Sequence, residues 1–299
     1  MSVKHPIIAV TGSSGAGTST VKVAFEHMFH REQITPVVIE GDSFHRYDRA
    51  AMKKAVAAAA DKGDANFSHF GPEANLFGDL AELFKTYGET GAGKRRLYLH
   101  KAEEAEPYPG LKPGQFTPWE EFKADSDLLF YEGLHGCVVA EDQKVDIAQH
   151  VDLKIGVVPV INLEWIQKIH RDTIQRGYSE EAVMDTILRR MHDYVHYIMP
   201  QFQHSDINFQ RVPVVDTSDP IIARDIPTAD ESLVVIRFRF PDTLNVDFPY
   251  LLRMLHNSWM SRRNSIVVPA GKMGLAMELV LTPILRDMIE KSRKIKGES

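Results

Sequence analysis

The stretch Ile7-Ile8-Ala9-Val10-Thr11-Gly12-Ser13-Ser14-Gly15-Ala16-Gly17-Thr18-Ser19-Thr20 decides how this chain is read. Ile7–Thr11 is a short apolar run of the kind that forms a buried strand, and 18–29 carries a helical pattern. The glycines between them let successive backbone N–H groups turn inward, and the start of the helix adds partial positive charge. Gly12, Ser13, Ser14, Gly15, Ala16, Gly17, Thr18, Ser19 and Thr20 are therefore the candidate residues for holding a nucleotide's phosphates. Their spacing follows Gly-x4-Gly-Lys-Ser/Thr with one departure, Thr18 in the lysine's place. Ser19 stands where a hydroxyl reaches Mg2+. A glycine-rich strand-to-helix turn without a ligand is the plainer reading; the strand–turn–helix context favours phosphate.

The missing lysine leaves charge on a transferred phosphoryl group to be neutralised from elsewhere. Lys168, Arg171 and Arg176, with Asp172 between them, span one broad face of a predicted helix over 162–176. Taken alone, they read better as a solvated face with an i,i+4 pair of Lys168 and Asp172. Beside a lysine-free phosphate loop the order of the two readings reverses.

Two more segments sit just beyond predicted strands, where open α/β sheets bind ligands. In Glu40-Gly41-Asp42-Ser43-Phe44-His45-Arg46-Tyr47-Asp48-Arg49, Asp42 is placed to accept a proton from a substrate hydroxyl. His45 and Arg49 are donors for an anionic substrate group. The competing reading is an Asp-initiated turn with exposed basic residues. In Phe130-Tyr131-Glu132-Gly133-Leu134-His135-Gly136, Glu132 ends an apolar strand, the usual place for an acid that helps position Mg2+. Gly133 and Gly136 permit close backbone approach. His192 and His196 share a helix face without an obvious third metal ligand, and Cys137 reads as a small buried residue.

Around these segments the chain alternates strands and helices. Strands are predicted at 36–40, 127–132, 152–158, 212–216, 233–240 and 265–268, and helices at 49–62, 75–87, 179–199 and 273–295. Buried-type strands with helices between them imply a parallel or mixed sheet covered on both faces. The segment 88–123, rich in Gly and Pro, reads as an irregular excursion, a lid or an oligomer contact. No repeat or linker divides the 299 residues, so one domain is expected. Lys and Arg number 35 against 41 Asp and Glu, a net charge of −6, which argues against a broad nucleic-acid or membrane footprint. No apolar run approaches the ~20 residues of a membrane helix. The N-terminus is too short in apolar residues for a signal peptide. With one cysteine, Cys137, no internal disulfide can form, which fits a cytoplasmic protein.

In order and spacing, these motifs resemble the bacterial phosphoribulokinase family. The likeness includes Val158-Pro159-Val160-Ile161-Asn162-Leu163-Glu164-Trp165-Ile166-Gln167-Lys168-Ile169-His170-Arg171-Asp172, then the run 206–216 and Asn264–Pro269. It implies a P-loop nucleoside-kinase-like α/β fold, a mixed β-sheet flanked by helices on both faces. It also implies ATP-dependent phosphorylation of D-ribulose 5-phosphate at O1, with Mg2+. By the same resemblance, Asp42 is the general base and Glu132 serves the metal. His45, Arg49 and Arg176 recognise the sugar phosphate. Lys168 and Arg171 support substrate binding and the transition state, and Asp172 is catalytically important without a fixed role. Bacterial members are octamers activated by NADH, and Arg31, Arg237 and Arg262 match basic positions tied to that effector. A related kinase acting on another sugar phosphate or nucleoside, and a non-catalytic nucleotide sensor, are the alternative readings.

Overall fold

The computed structural model describes residues 4–12, 18–123, 125–223 and 225–297; the side chains of residues 18–20 and 175 lie outside the described set. Twelve strands are found among the described residues. They are β1 (Ile7–Thr11), β2 (Pro36–Glu40), β3 (Gly93–Arg95), β4 (Glu120–Phe122), β5 (Leu128–Gly133), β6 (Val139–Ala140), β7 (Val145–Asp146), β8 (Leu153–Val158), β9 (Ile207–Pro213), β10 (Ser232–Phe238), β11 (Trp259–Arg262) and β12 (Ser265–Pro269). The α-helices are α1 (Thr18–Arg31), α2 (Arg49–Asp61), α3 (Phe77–Thr90), α4 (Ala102–Ala105), α5 (Ile161–His170), α6 (Glu180–Asp193), α7 (Phe248–Met254) and α8 (Met273–Lys296).

Eight strands form one sheet in the order β11-β12-β10-β9-β8-β1-β5-β2. From β9 to β2 neighbouring strands run parallel, and from β9 to β11 they run antiparallel. The apolar runs alternate between two cores, as a period of two requires. Ile8, Val10, Leu128 and Phe130 meet α1 and α8 through Phe25, Met28, Met277 and Leu281. Ile7, Ala9, Leu129 and Tyr131 meet α3 through Leu80, Leu83 and Phe84. Both faces are covered, so every side chain of β1 is buried and no polar alternation is seen in its sequence. Truncating a fully buried ring such as Phe25 to Ala in this core costs about 3–5 kcal/mol.

Local signals set most boundaries. Asp48 caps α2 by accepting from Ala51 N at 2.7 Å, and Ser179 caps α6 from Ala182 N at 3.3 Å. Gly91, at φ 73°, ends α3 in a left-handed cap. Several expectations need correction. The strand expected at 212–216 lies earlier, at Ile207–Pro213, because Ile207 and Phe209 are its buried pair while Val214 and Val215 are exposed. The helix expected over 162–176 changes at Arg171 into a π-helix that runs to Gln175. The helix expected to reach 199 changes likewise at Tyr194–Ile198, then tightens to a 3-10 turn at Met199–Gln203 around Pro200. α7 and β11 have no counterpart in the sequence reading. The excursion at 88–123 holds the small antiparallel pair β3–β4 and the single turn α4.

Candidate active site

The parallel strands β1, β2 and β5 end side by side, and the site grows from those ends. Gly12 N donates to Gly133 O at 3.2 Å, which joins the start of the phosphate loop to the end of β5. A Cβ on Gly133 would stand 2.7 Å from Gly41 Cα, so only glycine lets the turn after β2 approach so closely. Gly136 is equally constrained, with Tyr131 Cδ1 2.8 Å from where its Cβ would lie. The candidate phosphate-loop residues Ser13, Ser14, Gly15, Ala16 and Gly17 lie outside the described residues. Thr18, Ser19 and Thr20 open α1 as backbone, and their side chains, including the Ser19 hydroxyl proposed for Mg2+, also lie outside them.

Glu132 is paired in register with Val10 on one side and Glu40 on the other. It is a hard oxygen donor at the phosphate end of the sheet, which suits Mg2+, an ion that takes one or two protein carboxylates and completes its shell with phosphates and water. Among the described residues no group of three His, Cys, Asp or Glu forms a metal cage. His192 and His196 stack with ring centroids 4.3 Å apart and gain no third ligand there.

Asp42 lies in the 3-10 turn Gly41–Phe44 that follows β2 directly. Its carboxylate is 41% exposed, and two imidazoles bracket it: His45 Nε2 is 3.8 Å from Oδ1 and His100 Nε2 3.8 Å from Oδ2. Burial lowers the pKa of His45, and the charges of Arg190 and Arg96 push the same way against the pull of Asp42. Burial likewise brings His69 and His135 down to about 3, so these imidazoles are neutral at physiological pH. The His45 and His69 rings lie 4.9 Å apart.

The excursion builds the outer wall of this region. Arg96 donates to Ser43 O at 2.8 Å and His45 O at 2.6 Å, and its guanidinium lies over Phe116 at 3.7 Å and Trp119 at 4.7 Å. Arg49 N donates to Gly114 O at 2.9 Å, and the Arg49 side chain is hydrogen-bonded to Tyr98. Sequence reading missed Arg96, Tyr98 and His100 because the segment carries no periodic pattern. Their only signal was a high density of aromatic and basic residues.

Across the site, Asp172 is 5% exposed and holds three cations: Lys168, Arg171 Nε at 3.0 Å and Arg176 Nη1 at 3.1 Å. The solvated-face reading anticipated the Lys168–Asp172 contact; the reading of these cations as phosphate partners did not specify it. The π-turn adds Arg171 and Arg176 to it, and such turns recur at functional sites. Burial alone would raise the Asp172 pKa, but Lys168 and Arg171 outweigh it and hold the carboxyl below its usual range. Lys168 is lowered to about 8, first by burial and then by the charge of Arg190.

Arg190, on α6, connects the two sides. Its charge bears on His45 and on Lys168, and it in turn feels Asp172 and Arg171. Its guanidinium lies 5.1 Å from the Phe70 ring centre, and burial lowers it to about 10. The sequence reading did not single out the adjacent pair Arg189-Arg190. Gln201, 1% exposed, ties the strand ends to the π-helix that follows α6. Its Oε1 accepts from Thr11 Oγ1 and from Cys137 N, each at 3.0 Å. Its Nε2 donates to Leu134 O and Tyr197 O, each at 2.8 Å. Cys137 is buried, and its thiol is raised to about 12 by that burial, as expected of a packing residue.

The three arginines matched to an effector lie elsewhere. Arg31, at the end of α1, donates to Glu278 at 2.7 Å and to Thr282 at 2.8 Å on α8. Arg237 and Arg262 are both in register with Ser265, one on each side of β12. No helix among the described residues is long and apolar enough to cross a membrane.

The sequence profile of the Phosphoribulokinase / Uridine kinase family matches residues 7–218. The plasmid-encoded phosphoribulokinase of Cupriavidus necator is 62% identical over 294 residues, covering 98% of this chain and 99% of the relative. Phosphoribulokinase 1 of Cereibacter sphaeroides is 62% identical over 293 residues, with 98% and 99% covered. The solved phosphoribulokinase structure from Rhodobacter spheroides superposes with a TM-score of 0.88 at 59% identity, covering 97% of this chain and 99% of that one.

Proposed function

The chain belongs to the phosphoribulokinase/uridine kinase family as an enzyme of its phosphoribulokinase branch, and from that premise we propose that it transfers the γ-phosphoryl group of ATP to O1 of D-ribulose 5-phosphate, releasing D-ribulose 1,5-bisphosphate and ADP. One observation carries the assignment of roles. Asp42 is an accessible carboxylate between two imidazoles, and the charge of Arg190 bears both on His45 beside it and on Lys168 in the basic cluster built on Asp172.

In this reading Asp42 orients the O1 hydroxyl and takes its proton as the new O–P bond forms. His45, uncharged because it is buried, donates a hydrogen bond without adding charge beside Asp42. Arg49 and Arg176 bind the substrate's own phosphate and so supply binding energy remote from the reacting atom. Lys168 and Arg171 offset charge on the transferring phosphoryl group, while Asp172 holds them in place and keeps Lys168 protonated. Glu132 and Ser19 are the residues that would hold Mg2+, which when bound would offset the negative charge of the nucleotide's phosphates. The backbone from Gly12 to Thr20 cradles those phosphates.

We extend the reading to regulation and setting. NADH is the activator, bound through Arg31, Arg237 and Arg262, in a cytoplasmic homo-octamer. Because Arg31 is tied to α8 while Arg237 and Arg262 flank β12, effector binding has to draw Arg31 off Glu278 or use it where it stands.

The test is ADP release from purified protein with Mg-ATP and ribulose 5-phosphate, with and without NADH, and with ribose 5-phosphate and uridine as parallel acceptors. Fast turnover that needs ribulose 5-phosphate supports the assignment. ATP binding without turnover on that sugar overturns it and points to another acceptor or to a sensor.

A further inference from the structure

Lys22 lies one helical turn beyond Thr18, on the same face of α1 as the position where phosphate loops of this spacing carry their lysine. Side chains on a helix lean toward its N-terminus, so Lys22 reaches back to the phosphate end of the sheet. Its stem lies along a cleft walled by Phe25, Phe29, Val38 and Phe130. Its Nζ stands 2.9 Å from Glu40 Oε1. The hydrogen bond to Glu40 raises the Lys22 pKa, and the charge of Glu132 adds to that field.

Glu40 and Glu132 are register partners on neighbouring parallel strands. Strands so paired are about 4.8 Å apart, and both side chains emerge on the same face. Two like charges placed directly opposite one another repel. They also offer a divalent ion two protein carboxylates at the place where an incoming polyphosphate has to share it. Nothing in the sequence reading distinguished the two acids beyond the position of Glu132 in its motif.

We propose that Lys22 is a positioning residue that engages Glu40 and keeps it from the metal, so that the phosphate end of the sheet presents one metal-directed carboxylate, Glu132, and not two. The inference rests on the reading of Glu132 as the metal's carboxylate. It gives the lysine that this loop lacks at position 18 a counterpart one turn on, which acts on an acid and not on the phosphates.

The arrangement makes two titrations move in opposite directions. In Lys22→Gln the charge of Glu40 is uncompensated. Mn2+ alone, followed by electron paramagnetic resonance on nucleotide-free protein, should then bind about tenfold more tightly. Metal-free ATP in EDTA, followed by calorimetry, should bind about tenfold more weakly. Removing both charges in Lys22→Gln/Glu40→Gln should return both affinities to near the wild-type values, and Lys22→Arg should hold them there. Loss of affinity in both titrations, no change in either, or weak ATP binding that the second substitution fails to restore overturns the inference; the last result marks Lys22 as a direct phosphate ligand. Glu132→Gln separates this failure from that of the underlying reading. Undiminished Mn2+ affinity in Glu132→Gln overturns the placement of the metal, and the inference with it. Lost Mn2+ affinity there, with Lys22→Gln behaving as the wild type, overturns the Lys22 inference alone.

Discussion

Asp42 and Asp172 are two carboxylates of the candidate site with opposite surroundings. Asp42 is 41% exposed, and two imidazole nitrogens stand 3.8 Å from its carboxylate oxygens. Asp172 is 5% exposed and bound by Lys168, Arg171 and Arg176. The same side chain can serve chemistry in one place and architecture in the other, because burial and counter-charge decide whether a carboxylate can exchange its proton. Asp42 keeps an open face, as the proposed role of base requires. Asp172 is held ionised, and its charge fixes three cations that would otherwise repel one another.

The contrast breaks most readily at Asp42. Asp42→Asn should lower kcat by about a thousandfold with an unchanged melting temperature. Turnover within tenfold of wild type in steady-state kinetics would remove Asp42 from the role of base.

Asp172→Asn should lower kcat by about a hundredfold and, unlike the first variant, also destabilise the fold by about 2 kcal/mol, since three cations lose their common partner. The pH dependence sharpens this. The folded-state pKa of Asp172 is lowered, so its contribution is complete above the unfolded value of about 3.9 and is lost as pH falls through the folded value. Melting curves of wild type and variant should therefore differ at pH 7 and converge below about pH 4. A gap that persists in acid would contradict the ionised-hub description.

Arg49→Ala should raise the KM for the sugar phosphate by about tenfold and leave the KM for ATP unchanged. A change confined to ATP would move Arg49 off the acceptor side.

The smallest effect is expected at Arg96, which touches neither carboxylate but holds the turn that carries Asp42. Arg96→Leu orphans the Ser43 and His45 carbonyls and should cost about threefold in kcat. It should also speed proteolytic cleavage within 99–114; an unchanged cleavage pattern would separate the excursion from the Asp42 turn.

Legibility in the sequence followed the range of the interactions. β2 was readable to the residue, because Pro36 starts it and Gly41 turns the chain after it. β9 was misplaced because Asn208, Gln210 and Arg211 look like loop residues until β8 and β10 are known to lie on either side of them. α5 and α6 were seen, but not their π-turns, since no local pattern states that Arg171 and Arg176 converge on one acid. Asp42, His45 and Glu132 stood out because each lies at or just beyond the end of a strand. Arg190, Gln201 and Lys22 stayed hidden because each owes its place to a partner remote in sequence.

By itself the sequence determined the α/β class, the strand–loop–helix start from Ile7 through α1 and most of the candidate site residues. All of these are written in spacings of two, three or four residues or in short motifs at strand ends. Only the tertiary structure decided that Glu40 and Glu132 stand side by side, that residues 88–123 wall the Asp42 turn, and that the charge of Arg190 bears on both His45 and Lys168. Those relations depend on sheet order and on which strands become neighbours. A parallel sheet brings together segments separated by a hundred residues or more, and no local window of sequence records that meeting.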